Sequence, residues 1–265
     1  MKKAYKFGTV VLISGLVLAA VGLVNHGYSN SSQNRMSDTI RPGKFTQIEL
    51  NTYNANVDIH SGNVDKVKIA CTKHEPITAK VVNQKLLIEQ PKKRRQHMVH
   101  IKPFINEPDN QVVIIVPYGT ELTKIANYSD AGAVNLWYLN VQNLTVEQDA
   151  GGLTLDTVKV TKKFDLNLDA GSLKISNSTL TNSDGELDAG SLKIDHSNFL
   201  GSNSFSLDAG SFKMQQAKKM NYDLSVDAGS IKYLGSRKGH NFKKKIAGCK
   251  NSLAVDADMG SIVIN

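Results

Sequence analysis

The chain repeats one stretch, Phe164-Asp165-Leu166-Asn167-Leu168-Asp169-Ala170-Gly171-Ser172-Leu173-Lys174-Ile175, and this repetition determines the architecture. LDAG at 168–171 returns at 187–190 and 207–210, and VDAG follows at 226–229. Looser copies occur at 130–132 and 149–151, and DMGSI closes the series at 258–262. The aspartates at 130, 149, 169, 188, 208 and 227 are 19 or 20 residues apart. A unit of this length cannot bury its own apolar side, so it must stack on its neighbours as one coil of a solenoid.

Within one copy, polar and apolar residues alternate with the period of a half-buried strand. The alternation predicts that Leu166, Leu168 and Ala170 point inward, and that Leu173 and Ile175 do so after a corner at Gly171. Stacked copies then form apolar columns, the first containing Leu168, Leu187, Leu207 and Val226, the second Leu173, Leu192, Phe212 and Ile231. A third inward contact is expected from Leu180, from Phe199 or Leu200, and from Ala217 or Met220.

These patterns predict an all-β protein, a single-stranded β-helix with two or three short strands in each coil of about 19–20 residues. Residues 44–265 are assigned to this one solenoid domain, because alternation continues from Ile48 onward without a helical period. The corner aspartates and glycines are interpreted as structural, each carboxylate accepting hydrogen bonds from turn amides. They are Asp169, Gly171, Asp188, Gly190, Asp208, Gly210, Asp227 and Gly229. Lysines in phase, among them Lys174 and Lys193, are expected to offset their charge.

The first 43 residues have a different character. Residues 1–6 carry three lysines, and residues 7–24 contain no charged side chain. At 1.5 Å per residue this run spans about 27 Å, which fits a transmembrane anchor with its basic flank in the cytoplasm. A cleaved signal peptide is the alternative. Residues 25–43 read as a polar linker, and both alternatives place the solenoid outside the cell.

Three features together resemble a known family. They are NANVDI at 54–59, QVVIIVPYGTELTKIANYSDAGAVNL at 111–136, and the serial DAGSLKI copies, all following the basic and apolar N-terminus. The combination is similar to the bacterial putative-adhesin domain of unknown function. The resemblance implies a β-solenoid on the surface of Gram-positive cells, an accessory role beside envelope-stress signalling systems, and no established catalytic residues.

The charge is distributed unevenly along the chain. Net charge is +8, yet residues 121–215 contain 12 Asp and Glu against 7 Lys and Arg. Two basic runs stand out as candidate contacts for an anionic wall polymer or lipid headgroups. They are Lys92-Lys93-Arg94-Arg95, and Arg237-Lys238 with Lys243-Lys244-Lys245. Solvated loops are the alternative reading, and nucleic acid is not expected for an exported chain without interleaved aromatics.

The sequence favours a non-enzymatic surface module that adheres to or senses envelope components, or assists a membrane signalling protein. The alternative is a polysaccharide-active β-helix enzyme, a lyase or hydrolase. An enzyme needs a coil that differs from its neighbours, whereas these copies are alike. No cofactor is expected, and His97 and His100 lack further zinc ligands nearby. Cys71 reads as a buried apolar residue, and a disulfide with Cys249 stays open.

Overall fold

Each repeat forms one coil, and successive coils pair as parallel strands. In the computed structural model, which describes residues 35–73, 75–91, 110–216 and 218–265, Leu168 is in register with Leu187, and Leu187 with Leu207. The described residues contain eighteen strands and no helix. The strands are β1 (Arg35–Ile40), β2 (Gln47–Asn54), β3 (Asn56–Gly62), β4 (Lys66–Thr72), β5 (Thr78–Val82), β6 (Lys85–Glu89), β7 (Gln111–Pro117), β8 (Glu121–Trp137), β9 (Asn140–Asp156), β10 (Lys159–Ser176), β11 (Thr179–Thr181), β12 (Ser183–Asp195), β13 (Asn198–Leu200), β14 (Ser202–Met214), β15 (Asn221–Tyr233), β16 (Ser236–Lys238), β17 (Asn241–Lys244) and β18 (Ser252–Ile264). The predicted all-β solenoid is confirmed.

A coil has three segments, which we call first, middle and last. The first is short, as in β11, and the middle and last lie before and after the DAG corner, as in the two halves of β12. Burial changes phase at that corner, because Asp188 and Ala189 are both exposed. The prediction that Ala170 points inward is therefore wrong. Ala170 is exposed, since the chain turns at the aspartate before it.

The predicted apolar columns form the core. Leu168, Leu187 and Leu207 are each no more than 1% exposed, and so are Leu180 and Phe199 of the first segments. Met220 is buried as expected, whereas Leu200 is 41% exposed. Ala217 lies outside the described residues. Each of these buried leucines stabilises the fold by roughly 2–5 kcal/mol relative to alanine.

The spatial order of the last coils differs from their order in the sequence. Strand β14 pairs with β18, and β18 pairs with β15, all in parallel. The DMGSI copy thus lies between the two preceding repeats, and Ala257 separates Leu207 from Val226 in the first column. The predicted columns contain the right residues, but each lacks the residue that β18 contributes between β14 and β15.

Both ends of the stack carry antiparallel strands in place of another repeat. At one end, β2 and β3 form a coil on which β6 and β7 stack in parallel, and β5 and β4 then pair antiparallel with β6 and β7. At the other end, β16 and β17 pair antiparallel with β15. These strands cover edges that would otherwise expose unpaired backbone groups. The predicted uniform coil therefore does not extend to the ends of the domain.

The N-terminal assignments are only partly within the described residues. Residues 1–6 and the predicted anchor, 7–24, lie outside them. Strand β1, which pairs with β4, occupies 35–40 of the predicted linker, 25–43. Across the residues that the structure describes, no helix is long and apolar enough to cross a membrane.

The two cysteines are not joined. Cys71, in β4, is 3% exposed and packs in the core, as predicted, whereas Cys249 is partly buried near the opposite end. Both are free thiols.

The corner glycines stack so closely that no side chain fits between coils. A Cβ built on Gly190 would collide with the carbonyl oxygen of Gly171, and one on Gly210 with that of Gly190. The same contact recurs in every coil from Gly132 to Gly229. Gly171 has a φ of 151°, whereas the φ of Gly190 lies outside the range that side chains rarely adopt. At Gly190 the constraint is therefore the approach of the neighbouring backbone.

We expect Gly190→Ala to lower the free energy of unfolding by roughly 2–3 kcal/mol, because a backbone oxygen cannot move aside as a side chain can. Chemical denaturation of the full chain measures the loss. The matched control is Gly119→Asn, since Gly119 has a φ of 78° with open space around its Cα and asparagine tolerates that conformation. A loss at Gly190 no larger than at Gly119 would contradict the stacking constraint.

Candidate interaction surfaces

The corner aspartates form an exposed column along one edge of the stack. Asp169, Asp188, Asp208 and Asp227 are all exposed. The expected hydrogen bonds to turn amides do not form, since none of these four carboxylates bonds or pairs with any part of the chain that the structure describes. The corner is instead held by the strand ladder on both sides and by the glycine stack.

The outward side of the middle segments is the acidic face. It carries these corner aspartates and further carboxylates in successive coils, namely Glu147, Asp165, Asp184, Glu186, Asp223 and Asp256. Lys163 pairs with Asp165 at 2.7 Å, which raises the pKa of Lys163, and Lys243 pairs with Asp223 at 2.9 Å. Charge is thus divided between sides of the solenoid as well as along the chain.

The outward side of the last segments carries a lysine column. Lys174, Lys193 and Lys213 are in-register neighbours, Val263 occupies the next rung, and Lys232 the one after. All four lysines are exposed. Within the described ranges none of them forms an ion pair, so they do not contact the corner aspartates directly.

The second basic run, Arg237 to Lys245, is largely committed to contacts within the chain. Lys243 pairs with Asp223, Lys244 donates a hydrogen bond to the Tyr233 hydroxyl at 3.0 Å, and Lys238 lies 5.4 Å from the centre of the Phe242 ring. Lys243 and Lys244 thus hold β17 against β15, and Lys238 packs within the hairpin of β16 and β17, which we call the cap. Arg237 and Lys245 are exposed and make no ion pair with the residues described.

The first basic run, Lys92 to Arg95, lies outside the described residues, and so do His97 and His100. The described residues end at Pro91 before this run and resume at Asn110. Among the residues that the structure does describe, no group of three His, Cys, Asp or Glu side chains is arranged to hold a metal ion.

Aromatic side chains gather near the N-terminal end of the stack. His60 and Trp137 are stacked with ring centres 6.3 Å apart, and Tyr118 and Tyr138 beside them are 67% and 64% exposed. Tyr138 has a φ of 56° at the corner between the last segment of one coil and the first segment of the next. The sequence analysis did not identify this patch, because its residues come from three separate strands and turns.

The cap also buries a tyrosine. Tyr222, on β15, is 2% exposed, and its hydroxyl donates to the Lys218 carbonyl at 2.9 Å and accepts from the Lys218 amide at 3.0 Å. Burial, with a smaller contribution from neighbouring Tyr233, raises the pKa of Tyr222 to about 12.

A stack of near-identical coils with charged columns on its faces defines a class of repeat protein, the β-solenoid. Residues 45–247 match the Toastrack DUF4097 family, and the chain belongs to that family. This agrees with the putative-adhesin domain of unknown function that the sequence resembles.

Solved structures give weaker similarities. A putative adhesin from Bacteroides fragilis is 12% identical, with a TM-score of 0.48 over 89% of this chain and 98% of that chain. A putative cell adhesion protein from Clostridium sporogenes is 16% identical, with a TM-score of 0.35 over 87% and 97%. A putative adhesin from Parabacteroides distasonis is 11% identical, with a TM-score of 0.38 over 87% and 97%. The search of curated proteins gave no match.

The buried Tyr222 predicts a loss of stability at alkaline pH. Its folded pKa of about 12 lies above the unfolded value of about 10, so its contribution is complete below pH 10 and is lost as pH rises toward 12. We expect the free energy of unfolding to fall more steeply over this range in the wild type than in Tyr222→Phe. Denaturation at pH 8, 10 and 11.5 measures the two slopes. Equal slopes would show that Tyr222 does not titrate with folding.

Proposed function

We propose that this protein is a non-enzymatic cell-surface module that binds anionic polymer of the cell envelope. The lysine column carries the proposal. Lys174, Lys193 and Lys213 occupy consecutive rungs, which in a parallel sheet lie about 4.8 Å apart. A polymer with a charge in each repeat unit can therefore contact several of these cations at once.

Other cations add to the positive charge of the protein. Arg237 and Lys245 are exposed at the cap, and the basic run Lys92 to Arg95 adds four charges to the chain. Summed positive potential draws an anionic polymer or lipid headgroup toward such groups. A membrane signalling protein that senses envelope stress is the partner class suggested by the resemblance.

The location is part of the proposal. Residues 7–24 anchor the protein as a single-pass membrane segment, residues 1–6 remain in the cytoplasm, and the solenoid faces outward. If the N-terminal segment is cleaved, the domain is secreted. The regular coils support a non-enzymatic role, because each charged column repeats one side chain where catalysis needs different groups that converge.

Neutralising the column should weaken polymer binding. We expect Lys174→Gln, Lys193→Gln and Lys213→Gln together to reduce affinity of the detergent-solubilised full chain for immobilised polyglycerol phosphate by about tenfold. Three exposed charge pairs worth about 0.2–1 kcal/mol each account for this loss. Wild-type binding should also fall with added salt, because screening limits the range of interaction between exposed charges to about 8 Å near physiological ionic strength. Surface plasmon resonance measures both.

The matched control neutralises three lysines elsewhere, Lys159, Lys162 and Lys218, which gives the same change in net charge. If the control loses as much affinity, net charge and not the column is responsible. A separate variant of Lys92 to Arg95 measures the contribution of the first basic run. Binding that is insensitive to salt would contradict the proposal.

The proposed topology predicts which side of the membrane a protease can reach. Protease added to intact cells stripped of their wall should digest the solenoid and leave a small membrane fragment, because residues 44–265 face outward. Immunoblotting with an antibody to the solenoid detects the loss. A solenoid that is digested only after the membrane is opened would place it in the cytoplasm.

A further inference from the structure

One coil near the N-terminal end of the stack departs from the repeat at its outer corner. In the next coils the last segment ends in two polar residues, which are Asp156-Thr157, Ser176-Asn177 and Asp195-His196. The coil of β8 has Trp137 and Tyr138 at the same two positions. Trp137 is the single tryptophan of the chain. A polar pair is thus replaced by two aromatic residues in this coil.

The backbone at this corner is the same in successive coils. Tyr138 has a φ of 56°, and Thr157, Asn177 and His196 have values of 58°, 51° and 46°. Asparagine tolerates this left-handed conformation, whereas a bulky side chain rarely adopts it. Tyr138 gains no burial in return, since it is 64% exposed. Neither the turn nor the core therefore accounts for a tyrosine at this position.

Trp137 and Tyr138 line an open cleft, which we call the aromatic patch. It encloses about 530 Å³ and is lined by nine residues, among them His60, Asn63 and Tyr118. The Trp137 ring stacks on His60 because the two residues are neighbours in the parallel pair of β3 and β8. The volume lies within the range of small-ligand sites, about 300–1,000 Å³. A standard protein interface needs roughly 20–30 residues on each side, so a lining of nine favours a small ligand.

Hydrogen bonds within the chain hold the patch in place. The Ser61 hydroxyl donates to the Tyr138 carbonyl, and His60 Nδ1 donates to the Ser61 carbonyl at 3.1 Å. Because Nδ1 carries that proton, Nε2 of the neutral ring is an acceptor. The aromatic rings stand on strand ends whose backbone is already fixed, which lowers the entropy cost of binding.

The lining suits an uncharged ligand that has apolar faces and a polar rim. None of the nine described residues is Asp, Glu, Lys or Arg, so the patch offers no ion pair to a charged group. Within the described chain, the one ring contact of the patch is that of Trp137 with His60. The rings therefore form an open platform, not a cage around a cation. The tyrosine hydroxyls, the Asn63 amide and His60 Nε2 supply hydrogen bonds at the edge.

We propose that the aromatic patch binds an uncharged pyranose ring of a glycan. A pyranose with equatorial hydroxyls has C–H groups on its faces and hydroxyls around its rim. Its face stacks on Trp137 between Tyr118 and Tyr138, and its hydroxyls pair with Asn63 and His60. This site does not depend on the lysine column, which takes an anionic polymer, so the failure of either proposal leaves the other intact.

The test uses Trp137 as its own reporter, because the chain has no other tryptophan. The full chain, in a detergent without a sugar headgroup, is titrated with cellotriose and with sorbitol, which has the hydroxyls of glucose but no ring. We expect cellotriose to change the tryptophan fluorescence and to reduce its quenching by acrylamide, since a stacked sugar excludes both water and quencher. Sorbitol should do neither. An unchanged signal with cellotriose, or an equal change with sorbitol, would overturn the proposal.

Tyr138→Asn separates binding from stability. It gives this corner the residue that Asn177 provides two coils further on, so we expect an unfolding temperature at least as high as that of the wild type. Affinity for cellotriose should nevertheless fall by about tenfold, because one aromatic contact is lost. Tyr118→Ser, which changes a side chain that is 67% exposed, should weaken binding to a similar extent. It provides the same test if Tyr138→Asn lowers the unfolding temperature. Unchanged affinity in both variants would overturn the proposal.

The matched control is Leu234→Asn. Leu234 is also exposed, at 56%, and has a φ of 46°, but it lies in the turn between β15 and β16 at the other end of the stack. This variant makes the same kind of backbone change and should bind cellotriose like the wild type. An equal loss of affinity would place the sugar elsewhere and overturn the proposal. Quenching that falls with protein concentration in the absence of sugar would show that a second copy of the chain covers the patch, which would also overturn it.

Discussion

The close approach of successive backbones at the glycine column governs the rest of the structure. Because the carbonyl oxygen of each corner glycine occupies the space of a Cβ in the next coil, every repeat must carry glycine there, and its strands are held at one spacing and one register. Once the register is set, leucine lies on leucine and lysine on lysine. Identical residues therefore line up as columns, and each column gives its face one chemical character.

The same regularity permits the unusual order of the last coils. Strands β14, β15 and β18 all present a similar corner, so β18 can pair with both of the others. The segment between β14 and β15 spans the extra rung, which remains incomplete until β18 is in place. The hairpin of β16 and β17 then covers the exposed edge of β15. The rung between β14 and β15 is thus completed by β18, which follows both of them in the chain.

The sequence was sufficient for the coil and its inward columns, because both follow from a repeat with a period of two inside each strand. Alternation cannot show where a strand turns, which is why Ala170 was placed on the wrong side. It also cannot show the spatial order of coils whose sequences are similar, such as those of β14, β15 and β18. Polar residues that hold corners were missed for a related reason. The Ser178 hydroxyl accepts from the Val158 amide at 3.0 Å and donates to the Ser176 carbonyl at 2.7 Å, yet a serine in a polar turn gives no such signal.

The candidate sites show a corresponding difference in predictability. Lys174 and its neighbours were visible as residues in phase, but their separation from the carboxylates required the corner to be located. The aromatic patch was invisible, because His60, Tyr118 and Trp137 lie far apart in the sequence and come together only through the pairing of β3 with β7 and β8. The column that holds Leu168 is apolar in the later coils, but in the coils before them it contains Gln148, Ser129 and Thr52. The polar residues that take the place of leucine there are held by bonds within the chain, since Gln148 donates to the Gly132 and Ala150 carbonyls and Ser129 accepts from Asn127 at 2.9 Å.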